Sequence, residues 1–257
     1  MKKKVMAVVV LLVLICFSFS YAAGLGPIRP LGNKKVCIGF ENDYVFSRPI
    51  KAKVDVLGGK IKESNNNFLL LGLGLTKYFN IYTRLGAGNL TEQLEWSGGS
   101  DQAIQYQYGF KWAVGANGLY KFKNNLGIGF DAQFNMSSNR AKSVSGTSNP
   151  VLEVKGPVNI YETQLSPYIT YDLNINKDVK VMPYIGGYYS FYRIHKGIDL
   201  SDQEGGGYWT YDEKIRGNQN LGVLGGFEVA FLKHLIFKIE GRFLAETAVS
   251  TSLIYKF

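Results

Sequence analysis

What most limits this chain is a period-two alternation that returns again and again beyond residue 33, always with the same two faces. In Val36–Phe46, Val36, Ile38, Phe40, Tyr44 and Phe46 share one face, with Asn42 the polar exception, while Cys37, Gly39, Glu41 and Asp43 share the other. Between residues 108 and 122, Tyr108, Phe110, Trp112, Val114, Tyr120 and Phe122 alternate with Gly109, Lys111, Ala113, Gly115 and Lys121. Leu126, Ile128, Phe130, Phe134 and Met136 then oppose Gly127, Gly129, Asp131 and Gln133, and Leu235, Phe237, Ile239 and Phe243 oppose Lys238, Glu240 and Arg242. Such spacing reads as strands with two unlike sides. Aromatic residues at 14% and 30 glycines fit strands in close backbone contact rather than disorder.

The sense of the alternation selects the architecture. A secreted sandwich or a lipocalin-like barrel turns its apolar face inward, and stays the alternative reading. Here the apolar face is large and aromatic. The mid-strand charges Glu41, Arg84, Lys111, Asp131, Glu162, Glu228, Lys238, Glu240 and Arg242 all lie off it. An apolar exterior around a polar lumen is the requirement of a transmembrane barrel, and the sheet must close because hydrocarbon offers an open edge no partner. The expected fold is all-β, a closed antiparallel up-and-down barrel. Ten strands are read near residues 34–46, 67–78, 80–94, 106–122, 125–139, 158–172, 179–195, 219–231, 234–245 and 248–257. Eight is the alternative, should residues 34–66 form something else. Short connectors at Lys77–Asn80, Lys123–Asn125, Asn174–Asp178 and Leu232–His234 alternate with long polar ones at Ser47–Asn67, Glu95–Gln105, Arg140–Pro157 and Gly197–Gln219. Tyr78, Phe79, Tyr120, Phe122, Tyr171 and Phe231 flank the short turns, as an aromatic girdle would.

The first residues stand apart. Lys2, Lys3 and Lys4 precede an apolar run from Val5 to Phe17, and Ser20-Tyr21-Ala22 places small residues before Ala23. This is the pattern of a cleaved secretory signal peptide, residues 1–22, followed by one barrel domain at 23–257. The run is shorter than the ~20 residues a helical span needs. Processing would leave Cys37 as the one cysteine, so no internal disulfide is expected.

The chain ends Leu253-Ile254-Tyr255-Lys256-Phe257, apolar at alternate positions up to a terminal phenylalanine. This resembles the last strand of Gram-negative outer-membrane β-barrels, and residues 221–243 look like the penultimate hairpin of small opacity-protein-like or porin-like members. The resemblance implies residence in the cell outer membrane. It also implies that Leu253, Tyr255 and Phe257 are a signal read by the barrel-assembly machinery, and that outer-membrane lipids and lipopolysaccharide are partners.

Chemistry is thinly signalled. Two His and two Cys exclude a zinc-finger framework, and neither a cofactor nor a metal is expected. His195, with Asp199 and Asp202 downstream, is the one catalytic candidate, of the kind an omptin-type rim protease would use; a solvated loop histidine explains it as well. Gly205-Gly206-Gly207 lacks the Lys-Ser/Thr of a phosphate loop. Arg48, Lys51, Arg140, Lys142 and Lys196 are read as rim cations for lipopolysaccharide phosphates, and scattered basic residues argue against nucleic acid. The leading expectation is a non-enzymatic barrel serving envelope structure or surface interaction through long outer loops. A narrow channel for ions or small solutes is the alternative, and a rim-active hydrolase ranks below both. The charged lumen is expected to satisfy itself and fill the bore.

Overall fold

The computed structural model describes residues 24–51, 56–96, 101–145, 152–202, 208–217, 220–232 and 234–257. The expected signal segment and the Gly205–Gly207 run lie outside them. The described chain is all strand and turn: β1 (Val36–Lys51), β2 (Val56–Gly74), β3 (Phe79–Trp96), β4 (Asp101–Lys121), β5 (Leu126–Ser145), β6 (Leu152–Lys155), β7 (Pro157–Tyr171), β8 (Leu173–Asn174), β9 (Val179–Asp202), β10 (Tyr208–Gly217), β11 (Leu221–Phe231), β12 (Leu235–Phe243) and β13 (Thr247–Lys256). Ten of these close an antiparallel barrel in the order β1-β2-β3-β4-β5-β7-β9-β11-β12-β13. The seam is β1 against β13, in continuous register from Cys37↔Lys256 to Tyr44↔Val249. Every edge is thereby paired, as a wall facing hydrocarbon demands.

Around the outside runs the band that the alternation defines. Phe40, Leu69, Leu85, Val114, Ile128, Phe130, Ile169 and Ile185 are exposed. Below them, at the short-turn end, stand Tyr78, Phe79, Tyr120, Phe122, Tyr171, Tyr255 and Phe257; above them stand Phe46, Tyr108, Phe110, Tyr189, Phe191 and Phe243. Two aromatic belts flanking an apolar band are the signature of a barrel seated at two membrane interfaces. Phe231, read as a girdle residue, is instead buried.

Inside, tyrosines lie flat over glycines on the neighbouring strand. Tyr82 faces Gly115, Tyr168 faces Gly129 and Tyr188 faces Gly222. A Cβ on Gly129 would meet the Tyr168 ring at 2.2 Å. The missing side chain is what admits the ring. Gly129→Val should therefore cost about 1–3 kcal/mol through overpacking, read as a lower denaturant midpoint of the refolded barrel; an unchanged midpoint would contradict this packing.

The four long connectors are not loops for most of their length, and here the sequence reading is corrected. β1 and β2 stay paired out to Ile50↔Gly59, and β3 and β4 out to Glu95↔Asp101. β5 runs to Ser145, and β9 and β10 pair from Arg193↔Arg216 to Ser201↔Tyr208. The hairpin of β12 and β13 ends low, at Leu244–Glu246. Above it β10 continues the line of β11 along β9 and meets β1 directly at Ile50↔Gly217 and Lys51↔Arg216. β6 likewise prolongs β7 along β9. Ten strands at the level of the apolar band thus become eight around the outer extension.

Among the described residues, the bore of that extension is lined by apolar side chains around one buried ion pair, Glu92 with Lys196. Bulges between Val45 and Ser47 in β1, Ile61 and Glu63 in β2, and Tyr106 and Phe110 in β4 each re-phase the alternation. Ile50, Ile61, Ile104 and Tyr106 consequently point inward, joining Leu90, Leu94, Ala141, Val158, Ile160, Tyr192, Ile194 and Ile215 in one buried cluster. An eight-stranded barrel has an interior that side chains can just fill. Among the described residues, this cluster closes the bore at its level.

Candidate functional site in the barrel lumen

Residues 24–31 precede the first strand and lie inside the barrel. Leu25, Ile28 and Leu31 are buried, and the chain reverses at Gly32 (φ 96°) and Lys34 before rising as β1. Lys34 N–H donates to Gly74 O at 2.8 Å, and Gly74 N–H to Lys35 O at 2.8 Å, which fixes that reversal at the barrel floor. Unpaired with any strand, such a segment must find partners for its backbone among side chains.

The lumen supplies them. Leu25 N–H donates to Glu240 at 3.3 Å, Gly26 N–H to Asp131 Oδ2 at 3.2 Å, Arg29 N–H to Glu228 Oε2 at 3.3 Å and Leu31 N–H to Asn80 Oδ1 at 2.9 Å. In return Arg84 Nη2 donates to Gly24 O at 2.5 Å, Asn117 Nδ2 to Pro27 O at 2.7 Å, and Lys238 Nζ to Leu25 O. Pro27 and Pro30 carry no N–H to satisfy. Gly26 passes so close to Tyr82 that a Cβ there would lie 2.2 Å from its ring. The Arg29 guanidinium closes the inner end, 3.0 Å from Glu228 and 3.1 Å from Asp172. Leu31 completes an apolar floor with Cys37, Leu70, Ile236 and Ile254.

All nine charges read from the sequence lie on the inner wall, with Glu228 directly opposite Lys238 across β11 and β12. They do different work. Asp131, Glu228, Lys238, Glu240 and Arg84 hold the segment. Glu41 meets Arg84 Nε at 3.1 Å through Oε1, and its Oε2 accepts no hydrogen bond among the described residues. Glu162 and Arg242 belong to a higher tier: Arg48 Nη2 lies 2.6 Å from Glu162, and Arg242 lies 3.1 Å from Glu246 and 3.5 Å from Asp43. Lys111 faces a cavity of about 80 Å³ at that tier, lined also by Asp43, Arg48, Glu162, Arg242 and Glu246. Above it, Glu92 pairs with Lys196 and accepts from Tyr106 Oη at 2.8 Å within the apolar cap.

Among the described residues, the buried side chains include seven carboxylates (Glu41, Asp43, Glu92, Asp131, Glu228, Glu240, Glu246) and six cations (Arg48, Arg84, Lys111, Lys196, Lys238, Arg242). The partly buried Arg29 pairs with the partly buried Asp172, and Glu162 with Arg48.

Several placements differ from expectation. The lumen does not satisfy itself; it grips an inserted segment. Arg48 and Lys196 are buried in ion pairs and cannot meet lipopolysaccharide, because the bulge in β1 and the even phase of β9 turn them inward. Arg140 and Lys142 are exposed on the extension. His195 packs its ring edge-on against Tyr161 at 5.4 Å, and no group of three His, Cys, Asp or Glu that could hold a metal exists among the described residues. Leu253, Tyr255 and Phe257 are exposed on the lipid side of the closing strand, with Ile254 buried between them. Asp43 stands on the face the alternation turns inward, whereas Arg29, Glu92 and Glu246 are not among the charges read from the sequence. For Arg29 the available signal is the stretch Gly24-Leu-Gly-Pro-Ile-Arg-Pro-Leu-Gly-Asn33, which breaks the alternation and carries a cation among glycines and prolines.

The geometry defines a class, a closed membrane-spanning β-barrel with an apolar exterior and a charged, occupied lumen. No family model matches the chain, and no curated protein does. Solved structures similar to it are outer-membrane barrels. They include the translocator domain of the autotransporter NalP from Neisseria meningitidis, with 9% identity, a TM-score of 0.48 and 88% of each chain covered. The outer membrane protease OmpT from Escherichia coli has 12% identity and a TM-score of 0.48, covering 87% of this chain and 94% of that one. The transport unit of the autotransporter AIDA-I from Escherichia coli has 12% identity and a TM-score of 0.44, covering 87% and 90%. At these values the likeness ends at general architecture, and the functional argument rests on the lumen alone.

Proposed function

We propose that this protein is a non-conducting, non-enzymatic barrel of the outer membrane that carries its eight-stranded extension as a surface-contact element. The observation behind this is the double closure of the bore, by residues 24–31 from below and by the apolar cluster around Ile50, Leu94, Tyr106 and Ile194 from above. A path for ions needs a continuous polar channel, and the cap interrupts it with buried hydrocarbon. The packing of His195 on Tyr161 favours a structural role for that ring over a catalytic one.

In this reading the chain is exported through a cleaved signal peptide at residues 1–22. Leu253, Tyr255 and Phe257 engage the barrel-assembly machinery, and exposed Arg140 and Lys142 stand above the outer aromatic belt, facing lipopolysaccharide phosphates. Planar-bilayer recording tests the central part. The intact barrel should show no stable open level, and a variant lacking residues 24–31 should stay silent as well, because the cap remains. Sustained conductance by the intact barrel would contradict the proposal and favour a narrow channel.

A further inference from the structure

We propose that the outer wall of the extension carries a binding cleft for a sugar phosphate, built where β3, β4 and β5 fall out of register together. This deepens the reading that Lys142 faces phosphates above the outer belt, and rests on it, by adding a built subsite for the sugar that bears the phosphate.

The cleft has a structural cause. Between β3 and β4 the register passes from Gly88↔Gly109 to Leu90↔Tyr106, so Asn89 alone stands opposite Gln107 and Tyr108. Between β4 and β5 it passes from Gln105↔Ser143 to Tyr106↔Ala141, which leaves Lys142 with no residue opposite. Such breaks interrupt the ladder and re-aim side chains. Gln107 and Tyr108 are consecutive and both exposed, which strict alternation on a closed wall excludes. Gly109 lets β5 stay close at the break, since a Cβ there would lie 1.9 Å from Ser138 O. From inside the wall, Asn139 Nδ2 donates to Gly88 O at 2.7 Å and to Gln107 O at 2.9 Å, holding the opened strand in place. A cleft of about 300 Å³ results, with Leu90 and Tyr106 beneath it. Both belong to the buried apolar cluster, so the cleft has a close-packed floor.

Its lining selects the ligand. Asn89, Thr91, Gln105 and Gln107 bring amides and a hydroxyl, groups that both donate and accept, as sugar hydroxyls do. Asn65 N–H donates to Asn89 Oδ1 at 3.2 Å and Ser143 Oγ to Gln105 Oε1 at 3.5 Å, which orients both amides. The ring of Tyr108, 59% exposed, offers an apolar face with a polar tip, suited to the C–H face of a pyranose. Lys142 is the one charged residue of the lining, and no carboxylate lines the cleft among the described residues. An ammonium in that position suits phosphate. Because Tyr108 also stands in the outer aromatic belt, the cleft opens at the headgroup layer, within reach of a membrane glycolipid and of a soluble glycan alike.

The test titrates the full barrel, folded in detergent, with glucose 1-phosphate, glucose and inorganic phosphate. Glucose 1-phosphate should bind saturably, at least about tenfold tighter than either of the other two, the worth of one charge-assisted hydrogen bond added to the sugar contacts. Lys142→Gln should remove the preference for glucose 1-phosphate over glucose, and Tyr108→Ala should weaken both. Arg193→Gln, at an exposed position on β9 outside the cleft, should change neither. Reconstitution in phosphatidylcholine vesicles, with and without a phosphorylated diglucosamine glycolipid, separates the sources. Shielding of Lys142 from an amine-acylating reagent by the glycolipid assigns the site to a membrane lipid; shielding by glucose 1-phosphate alone assigns it to a soluble glycan. Inorganic phosphate binding as tightly as glucose 1-phosphate would overturn the inference and leave the simpler phosphate contact of Lys142 standing. Absence of saturable binding, or binding untouched by Lys142→Gln and Tyr108→Ala, would overturn it as well. A barrel that conducts in planar bilayers and still binds the sugar phosphate would count against the closed bore and support this site.

Discussion

Arg84→Ala is expected to cost about 3–5 kcal/mol of barrel stability, the usual consequence of stranding a buried charge by removing its partner. Arg84 is completely buried and bridges three groups: Glu41 at 3.1 Å, Gln133 Oε1 at 2.5 Å and the Gly24 carbonyl at 2.5 Å. Its loss leaves Glu41 without a cation on the wall and loosens the inserted segment at its upper end. Denaturant titration of the refolded barrel measures the effect. Because the penalty comes from the orphaned carboxylate, Arg84→Met combined with Glu41→Gln should recover most of it. Equal losses in the single and double variants would mean that Arg84 acts through packing, against the reading of the lumen as a set of matched charges.

Phe40→Arg carries the second large effect. Phe40 is 54% exposed in the midst of the apolar band, between Leu253 and Leu69 on neighbouring strands. A lipid-facing arginine near the bilayer midplane costs about 2–4 kcal/mol. Lys142→Ala on the outer extension, also an exposed position, should stay within about 0.5 kcal/mol. Unfolding midpoints measured in lipid vesicles compare the two. If Phe40→Arg were as mild as Lys142→Ala, this face would be meeting water, and the assignment of the outer surface to hydrocarbon would fail.

The legible part of this molecule was its wall. Alternation fixes which side of each strand meets lipid, so the outward Phe40, Ile128 and Tyr255 and the inward Glu41, Asp131 and Lys238 are all legible in the sequence. Ten strands and the pairing of the first with the last follow from the same pattern and from the need to close. What could not be read depends on departures from the pattern. Bulges at Phe46 and Lys62 turn Ile50 and Ile61 inward, and a one-residue insertion leaves no mark in composition. Polar stretches such as Ser47–Asn67 therefore resemble loops, although Ile50 and Ile61 within them join the apolar cap. Residues 24–31 visibly break the alternation, but where they lie is hidden for a different reason. Their backbone is satisfied by Asp131, Glu228, Glu240, Arg84 and Asn117, residues far along the chain, so nothing local announces the contact.

A designed disulfide tests the occupied lumen most directly. The Cβ position of Gly24 lies 3.1 Å from Ser250 Cβ, close to the separation of about 3.5–4.5 Å that a disulfide spans. In a Cys37→Ser background, Gly24→Cys with Ser250→Cys should cross-link on mild oxidation of the folded barrel, giving an altered mobility on non-reducing gels, and should not do so in the urea-unfolded chain. If the folded, heat-modifiable barrel kept both thiols free under the same oxidation, the N-terminal segment would not lie in the lumen.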